Sequence, residues 1–213
     1  MPVNFLPNEH RERYGRYAGS PGALDLARYF HLDDTDHAII AKKRGGHNRL
    51  GYAVQLSIVR YLGTFLEDPF DVPPAVLQTL AKQLHVEHDV APRAYRFGER
   101  RWDHAAEIRD LYGYVDYTQR EIGFRLTRWL YGLCWTGTDR PSVLFERAAG
   151  LLITHKVLLL GRTTLERDIA RLRAKVETRL SRSNFQQSTV DKLQSRAHCS
   201  SQVSLPAQSH AQR

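Results

Sequence analysis

The chain has 213 residues, 42% of them apolar and 25% charged, which is an ordinary globular share and enough to build cores. Its 31 Lys and Arg against 23 Asp and Glu leave a formal charge of +8, a balance that favours a polyanionic partner. No apolar run approaches the roughly 20 residues of a bilayer span, and the first fifteen residues lack the apolar centre of a secretory signal, so no membrane partner is expected. Cys134 lies in an apolar helical pattern and Cys199 in a polar stretch, which suggests no disulfide framework and fits a soluble, cytoplasmic protein.

In chain order, Ser20 and Pro21 read as N-cap and first helical residue of a short helix to Phe30, with Leu24, Ala27 and Tyr29 on its apolar side. Asp33, Asp34, Thr35 and Asp36 cap a second helix that turns Ile39 and Ile40 inward and ends on Lys42, Lys43 and Arg44. Gly45 and Gly46 permit a sharp turn, and 47–66 forms the helix around which the rest is organised. Wound at about 100° per residue, Leu50, Val54, Ile58, Tyr61 and Phe65 make one stripe. Tyr52, Leu56, Val59 and Leu62 widen it, so burial on most sides is predicted, leaving a polar seam of Arg49, Ser57, Arg60 and Thr64. Pro69, Pro73 and Pro74 end that pattern, and a further helix runs from 74 to about 86.

A second unit is expected after Pro92. Residues 93–101 are strongly basic with aromatics between, and Tyr95, Phe97 and Trp102 read as core anchors. Helical patterns cover 102–112, 121–135, 142–155 and 163–180, punctuated by Gly113, Gly137 and Gly161. Only 157–160 suggests an extended piece. Thr163 and Glu166 have the spacing of a capping box at the start of the last helix. There Leu165, Ile169, Leu172, Val176 and Leu180 form one stripe, and Arg167, Arg171, Lys175 and Arg182 gather on the other side. From Ser183 onward the chain is rich in Ser and Gln without period, which predicts a disordered tail. Its abrupt start suits a truncated or frame-shifted gene end. The expected architecture is all-α: two consecutive multi-helix units with helix-turn-helix-like character, 1–88 and 89–182, followed by the tail 183–213.

Two basic clusters are candidates for contact with DNA. The first is Lys42, Lys43, Arg44, His47, Asn48 and Arg49, at a turn leading into a helix N-terminus. Lysines and arginines there neutralise phosphates, and Asn48 and Arg49 have side chains that pair with adenine and guanine edges. The competing reading has Arg49 and Arg60 pairing acids and Asn48 capping the helix. The second cluster is Arg162, Thr164, Arg167, Arg171 and Lys175, following a helix–joint–helix whose joint is longer than the usual three or four residues. A solvated cationic face is the alternative there. Arg100 and Arg101, beside aromatics, are further candidates for phosphate contact. Catalytic signals are poor: 85–89 (HVEHD) lacks the His-Glu-x-x-His spacing of a zinc site, and no P-loop, Gly-x-Ser-x-Gly or paired-cysteine pattern occurs. No metal site, cofactor or catalytic residue is expected.

The segments RYFHLDD (28–34), HNRLGYAVQL (47–56), VRYLGTFLEDP (59–69), DVPPAV (71–76), HAAEIRDLYGY (104–114), FRLTRWLY (124–131), RPSVLFERA (140–148) and KVLLLGRTTLERDIARLR (156–173) resemble, in order, the N-terminal region of Tn-three-family transposases. The likeness covers about 1–181 and leaves out the tail. It implies a helical region that recognises the terminal inverted repeats of a class II replicative transposon. The family's Asp-Asp-Glu catalytic core, an RNase-H-like fold binding Mg²⁺, belongs far downstream and is absent from this sequence. The resemblance therefore implies DNA binding in transposition rather than catalysis, with double-stranded DNA and other transposase subunits as partners. The alternative is a helical protein-interaction module of the transposition complex that does not touch DNA.

Overall fold

The computed structural model describes residues 5–87, Tyr95, 98–137 and 139–200, the side chains of residues 120 and 183–200 excepted. Among the described residues there are nine helices and no strand. They are α1 (Asn8–Arg13), α2 (Ala23–Tyr29), α3 (Asp34–Ala41), α4 (Gly46–Leu62), α5 (Pro74–Leu84), α6 (Arg100–Tyr112), α7 (Arg120–Thr136), α8 (Pro141–Thr154) and α9 (Arg162–Ser200). No helix among them is long and apolar enough to cross a membrane.

The all-α reading holds, and α5 to α8 lie close to where periodicity puts them. Four local expectations change. Helix α2 starts at Ala23 with Gly22 as a cap without a side-chain bond, and Leu24 stands 87% exposed instead of packing. Helix α1, between Pro7 and Tyr14, carries no buried residue and so has no apolar period to betray it. Helix α4 stops at Leu62, because Gly63 takes the left-handed conformation (φ 72°) and Leu159 donates its amide to the Gly63 carbonyl at 2.9 Å. A Cβ on Gly63 would come within 2.6 Å of Ile153, so only glycine fits where the two halves of the chain meet. Finally, the α9 backbone stays helical to Ser200, past Ser183 where the tail was expected to begin. Residues 201–213 lie outside the described residues.

The first core surrounds α4. Leu50, Tyr52, Ala53, Val54, Leu56, Ile58 and Val59 are buried, with α2, α3, α5 and α6 packed around them. Tyr95 and Ile108, from beyond the 88–89 division expected in the sequence, join this core. Residues 88–94 themselves lie outside the description. The second core is built by α7, α8 and α9, through Leu126, Leu130, Leu144, Phe145, Leu165 and Ile169, and takes Leu6 from the N-terminal segment. The extended piece expected at 157–160 is a parallel bridge between Val157 and Val115.

A helix buried on most sides must satisfy its polar seam internally. Arg60 does so through two parallel bonds to Asp36, both at 2.8 Å, and the Tyr112 hydroxyl donates to the same carboxylate at 2.7 Å. Asp36 also closes the capping box of α3 with Asp33. Burial pulls the Asp36 pKa up. The hydrogen bonds from Arg60 and Tyr112, the Arg60 charge and the Asp33 amide outweigh it and hold it below the ordinary value. One turn back, Gln55 donates to the Tyr95 hydroxyl at 2.8 Å, and that hydroxyl lies 2.7 Å from His104 Nδ1.

Arg60→Ala strands the buried Asp36 carboxylate and is expected to cost about 3–5 kcal/mol in urea unfolding. A loss under about 1 kcal/mol would show the pair is dispensable. Burial first, then the Lys43 charge, lowers the His104 pKa from 6.5 to about 4. The unfolded chain takes up that proton near 6.5 and the folded chain near 4. The contribution is therefore complete above pH 6.5 and is lost on acidification, at up to about 1.4 kcal/mol per pH unit. Subtracting the pH profile of His104→Gln from that of the wild type isolates this slope, and parallel profiles would refute it.

Candidate nucleic-acid interface

Helix α9 opens where the Gly161 carbonyl accepts from the amides of Thr164 and Leu165, at 2.9 and 3.2 Å. The capping box expected between Thr163 and Glu166 does not form, because the helix already begins at Arg162. Leu165 and Ile169 are sealed in the second core, and this register turns Glu166 inward, where its Oε1 is buried without a hydrogen-bond partner. The same register fixes the outer face. Thr164, Arg167, Arg171, Lys175 and Arg182 are exposed. At about 100° per residue they fall within roughly 80° of one another along about 27 Å of helix.

This stripe is scarcely neutralised. Arg171 lies 3.9 Å from Asp168, at the limit of an ion pair, and Asp168 also receives the Tyr117 hydroxyl at 3.4 Å. The Arg173–Glu177 pair, at 3.7 Å, belongs to the opposite side of the helix. Helices α8 and α9 pack on each other and on α7 as a helix–joint–helix. The long joint between them is held by Val157 bridging Val115 and not by a short turn.

The first cluster is divided by the fold. Lys42 and Arg44 are exposed. Lys43 is mostly buried, ion-paired to Glu107 on α6, with its ammonium 4.6 Å from the Tyr52 ring centroid. Asn48 lies inside α4 and donates to the Arg44 carbonyl at 2.7 Å, so it does not cap the helix, whose N-cap is Gly45 without a side-chain bond. His47 packs against Gly45, and Arg49 is half-buried, its Nε buried without a hydrogen-bond partner. Arg60, from the seam, pairs with Asp36 as described.

Arg100 is exposed at the start of α6. Arg101 is half-buried, donating to the Glu67 carbonyl at 3.3 Å and lying 4.5 Å over the Trp102 ring. Of the expected aromatic anchors, Tyr95 is buried and Trp102 is 63% exposed. Phe97 lies outside the described residues. The Lys42–Arg44 turn sits at the N-terminal end of α4, while α9 begins beside its C-terminal end. The 17 residues of α4 set these places about 25 Å apart along its axis. Arg16 was not singled out in the sequence, and its place between the cores is described below. Among the described residues, no three His, Cys, Asp or Glu side chains gather as metal donors.

Residues 5–172 match the family model described as Domain of unknown function (DUF4158). The chain belongs to that family. This DUF4158 chain is 42% identical over 181 residues to the transposase for transposon gamma-delta of Escherichia coli (strain K12), covering 84% of this chain and 18% of that protein. It is 34% identical over 156 residues to the transposase for transposon Tn1546 of Enterococcus faecium, covering 73% and 16%. The transposase for transposon Tn501 of Pseudomonas aeruginosa is 39% identical over 89 residues, 40% of this chain and 9% of its own. The chain thus spans under a fifth of the length of these relatives. The resemblance to Tn-three-family transposases read from its motifs is therefore homology over most of the DUF4158 chain.

The two faces of α9 are separable by substitution. Ile169→Ala is expected to cost about 2–5 kcal/mol in denaturant unfolding. Arg171→Ala should stay within about 0.5 kcal/mol of wild type. A large loss for Arg171→Ala would mean the stripe serves folding.

Proposed function

We propose that this chain binds double-stranded DNA sequence-specifically, at the terminal inverted repeats of a transposon, as the N-terminal part of a transposase. The observation that carries the reading is the exposed stripe Thr164, Arg167, Arg171 and Lys175 on a helix whose opposite face is core. A major groove admits such a helix. Its arginines pair bidentately with guanine edges or neutralise phosphates, and Thr164 contributes a hydroxyl to either. Helix α9 is then the recognition helix and α8 its partner. Lys42 and Arg44 give a second grip from the other end of α4, so that each core carries a contact with DNA. Lys43 and Asn48 shape the turn instead of reading bases. No cofactor and no catalytic step are assigned to this chain, and strand chemistry is left to the remaining four-fifths of proteins like its relatives.

A second reading, docking of another protein subunit, draws on Phe124 and Trp135, which stand 65% and 44% exposed on α7. The two readings differ in salt dependence. Phosphate neutralisation makes log affinity fall steeply with log salt, by about 0.9 per contact, whereas apolar docking is nearly flat.

Mobility-shift titrations on a transposon-end duplex and a scrambled duplex, across salt, test the proposal. The double variant Arg167→Ala/Arg171→Ala should lower the slope by about 1.8 if both residues contact phosphate. If either reads a base, it should lose more affinity on the transposon end than on the scrambled duplex. Lys43→Ala should leave the slope unchanged. No duplex binding by the wild type, or a flat salt response, would overturn the proposal.

A further inference from the structure

The segment Arg13-Tyr14-Gly15-Arg16-Tyr17 crosses from one core to the other. The Tyr14 ring packs on Phe145 of the second core, centroids 4.9 Å apart, and its hydroxyl donates to the Leu160 carbonyl at 2.9 Å. Three residues later, Tyr17 stacks on Tyr61 of the first core at 5.6 Å. Gly15 between them takes φ 65°, and a Cβ there would meet Thr64 at 3.2 Å, so the segment is pressed onto the turn after α4. Arg16 is thus pinned on both sides by anchored tyrosines, while its own side chain stays exposed.

Arg16 lines two adjoining cavities. The larger, about 680 Å³, lies between this segment, the 64–67 turn and the residues that open α9, and Arg162 lines it as well. The smaller, about 510 Å³, shares Arg16, Leu66 and Glu67 with it and reaches Arg101. Among the described residues no acid comes within ion-pair distance of Arg16 or Arg162, and Arg101 is held by a carbonyl and a ring, both neutral. Glu12 and Glu67 also line the larger cavity, and Glu67, Asp68 and Asp71 the smaller. The acids therefore weigh more on the Arg101 side, and the Arg16–Arg162 side is where an anion is favoured.

From this we infer that Arg16 and Arg162 form a phosphodiester clamp at the junction of the two cores, taking the DNA backbone where it passes the start of α9. Two guanidinium groups from separate elements that line one cavity are suited to the oxygens of a phosphate. Arg162 stands at the end of α9 where the stripe begins, about 160° from Thr164 around the helix, so a duplex whose groove admits the first turn of α9 brings a backbone strand toward the cavity. The clamp rests on the DNA-binding reading above and adds to it a contact that senses how the two cores are placed. It carries no base information, so it acts equally on any duplex.

Salt titration of the full 213-residue chain on duplex DNA tests the clamp. Arg16→Ala and Arg162→Ala should each lower the slope by about 0.9, with equal affinity losses on transposon-end and scrambled duplexes. Arg16→Lys, which keeps the charge, should restore most of the slope. Thermal unfolding of Arg16→Ala should match wild type, since the tyrosine anchors remain. A steep wild-type slope left unchanged in Arg16→Ala would overturn the clamp while sparing the wider proposal, whereas no DNA binding by the wild type overturns both. Poly-glutamate competing as well as duplex, through Arg16, would also overturn it, since the cavity would then take carboxylates.

Discussion

Everything in the first core follows from α4 being enclosed on nearly every side. Apolar residues alone would let such a helix rotate or slide among its neighbours at modest cost. Arg60 and Gln55 cannot move freely in that way, since each would carry a bonded polar group away from its partner into hydrocarbon. Arg60 finds Asp36 on α3 and, through that carboxylate, Tyr112 at the end of α6. Gln55 finds Tyr95 and the Arg101 carbonyl. These bonds lock α3, α6 and the Tyr95 segment to one register of α4. Each is directional where the apolar packing is not, so the polar seam decides which of several comparable packings is adopted.

The excess of cations is divided by the same logic. Arg60 and Lys43 go inward, to Asp36 and Glu107, and Arg101 is held against a carbonyl and an indole. Arg147 pairs with Asp139, and Arg179 lies over Tyr131. What folding leaves over is not spread evenly. Arg28, Arg100, Arg125 and Arg128 stay exposed on other helices, while α9 sets Arg167, Arg171, Lys175 and Arg182 in one row, because a helix with one face in a core places its charges on the other. A row of positive charge held 3 or 4 residues apart on a rigid rod repels itself, and a polyanion relieves that repulsion. The stripe is thus a consequence of how the second core is built, and it is the face that the proposed DNA binding would use.

Periodicity made most helices legible, because α4 to α9 each bury a face and the burial is written at spacings of three and four. Helix α1 buries nothing, and Leu24 sits on the outer side of α2, so neither leaves a readable trace of its true role. The end of α4 was misplaced because Phe65 continues the apolar spacing, while the stop is made by Leu159, nearly a hundred residues on. The capping box at Thr163 was a correct local pattern overruled by the core, whose register needed Leu165 and Ile169 inside. Sites followed the same rule. The α9 stripe was legible since both faces lie in one helix. The first cluster was not, since Lys43 is taken by Glu107, 64 residues away. Arg16 was invisible because its position depends on two tyrosines entering different cores.

That dependence bears on how the halves act together. The Leu159 amide on Gly63 ties the joint before α9 directly to the first core. Two further bonds tie it to segments that lead there: Val157 bridges Val115, just past α6, and Leu160 accepts from Tyr14, three residues before Tyr17. A short helix-turn-helix joint achieves a fixed helix by having no slack. Here a longer joint has its slack removed by these three bonds. The consequence differs in kind, because the orientation of α9 is then referred to α4 and not only to α8. Cations at the far end of α4, Lys42 and Arg44, stand at a set distance from the α9 stripe. A partner presenting negative charge at a regular repeat meets both only in one placement. Two grips joined by a floppy linker would accept many placements and distinguish among them poorly. The bonds across the junction therefore do as much to define what this surface can hold as the charged side chains themselves.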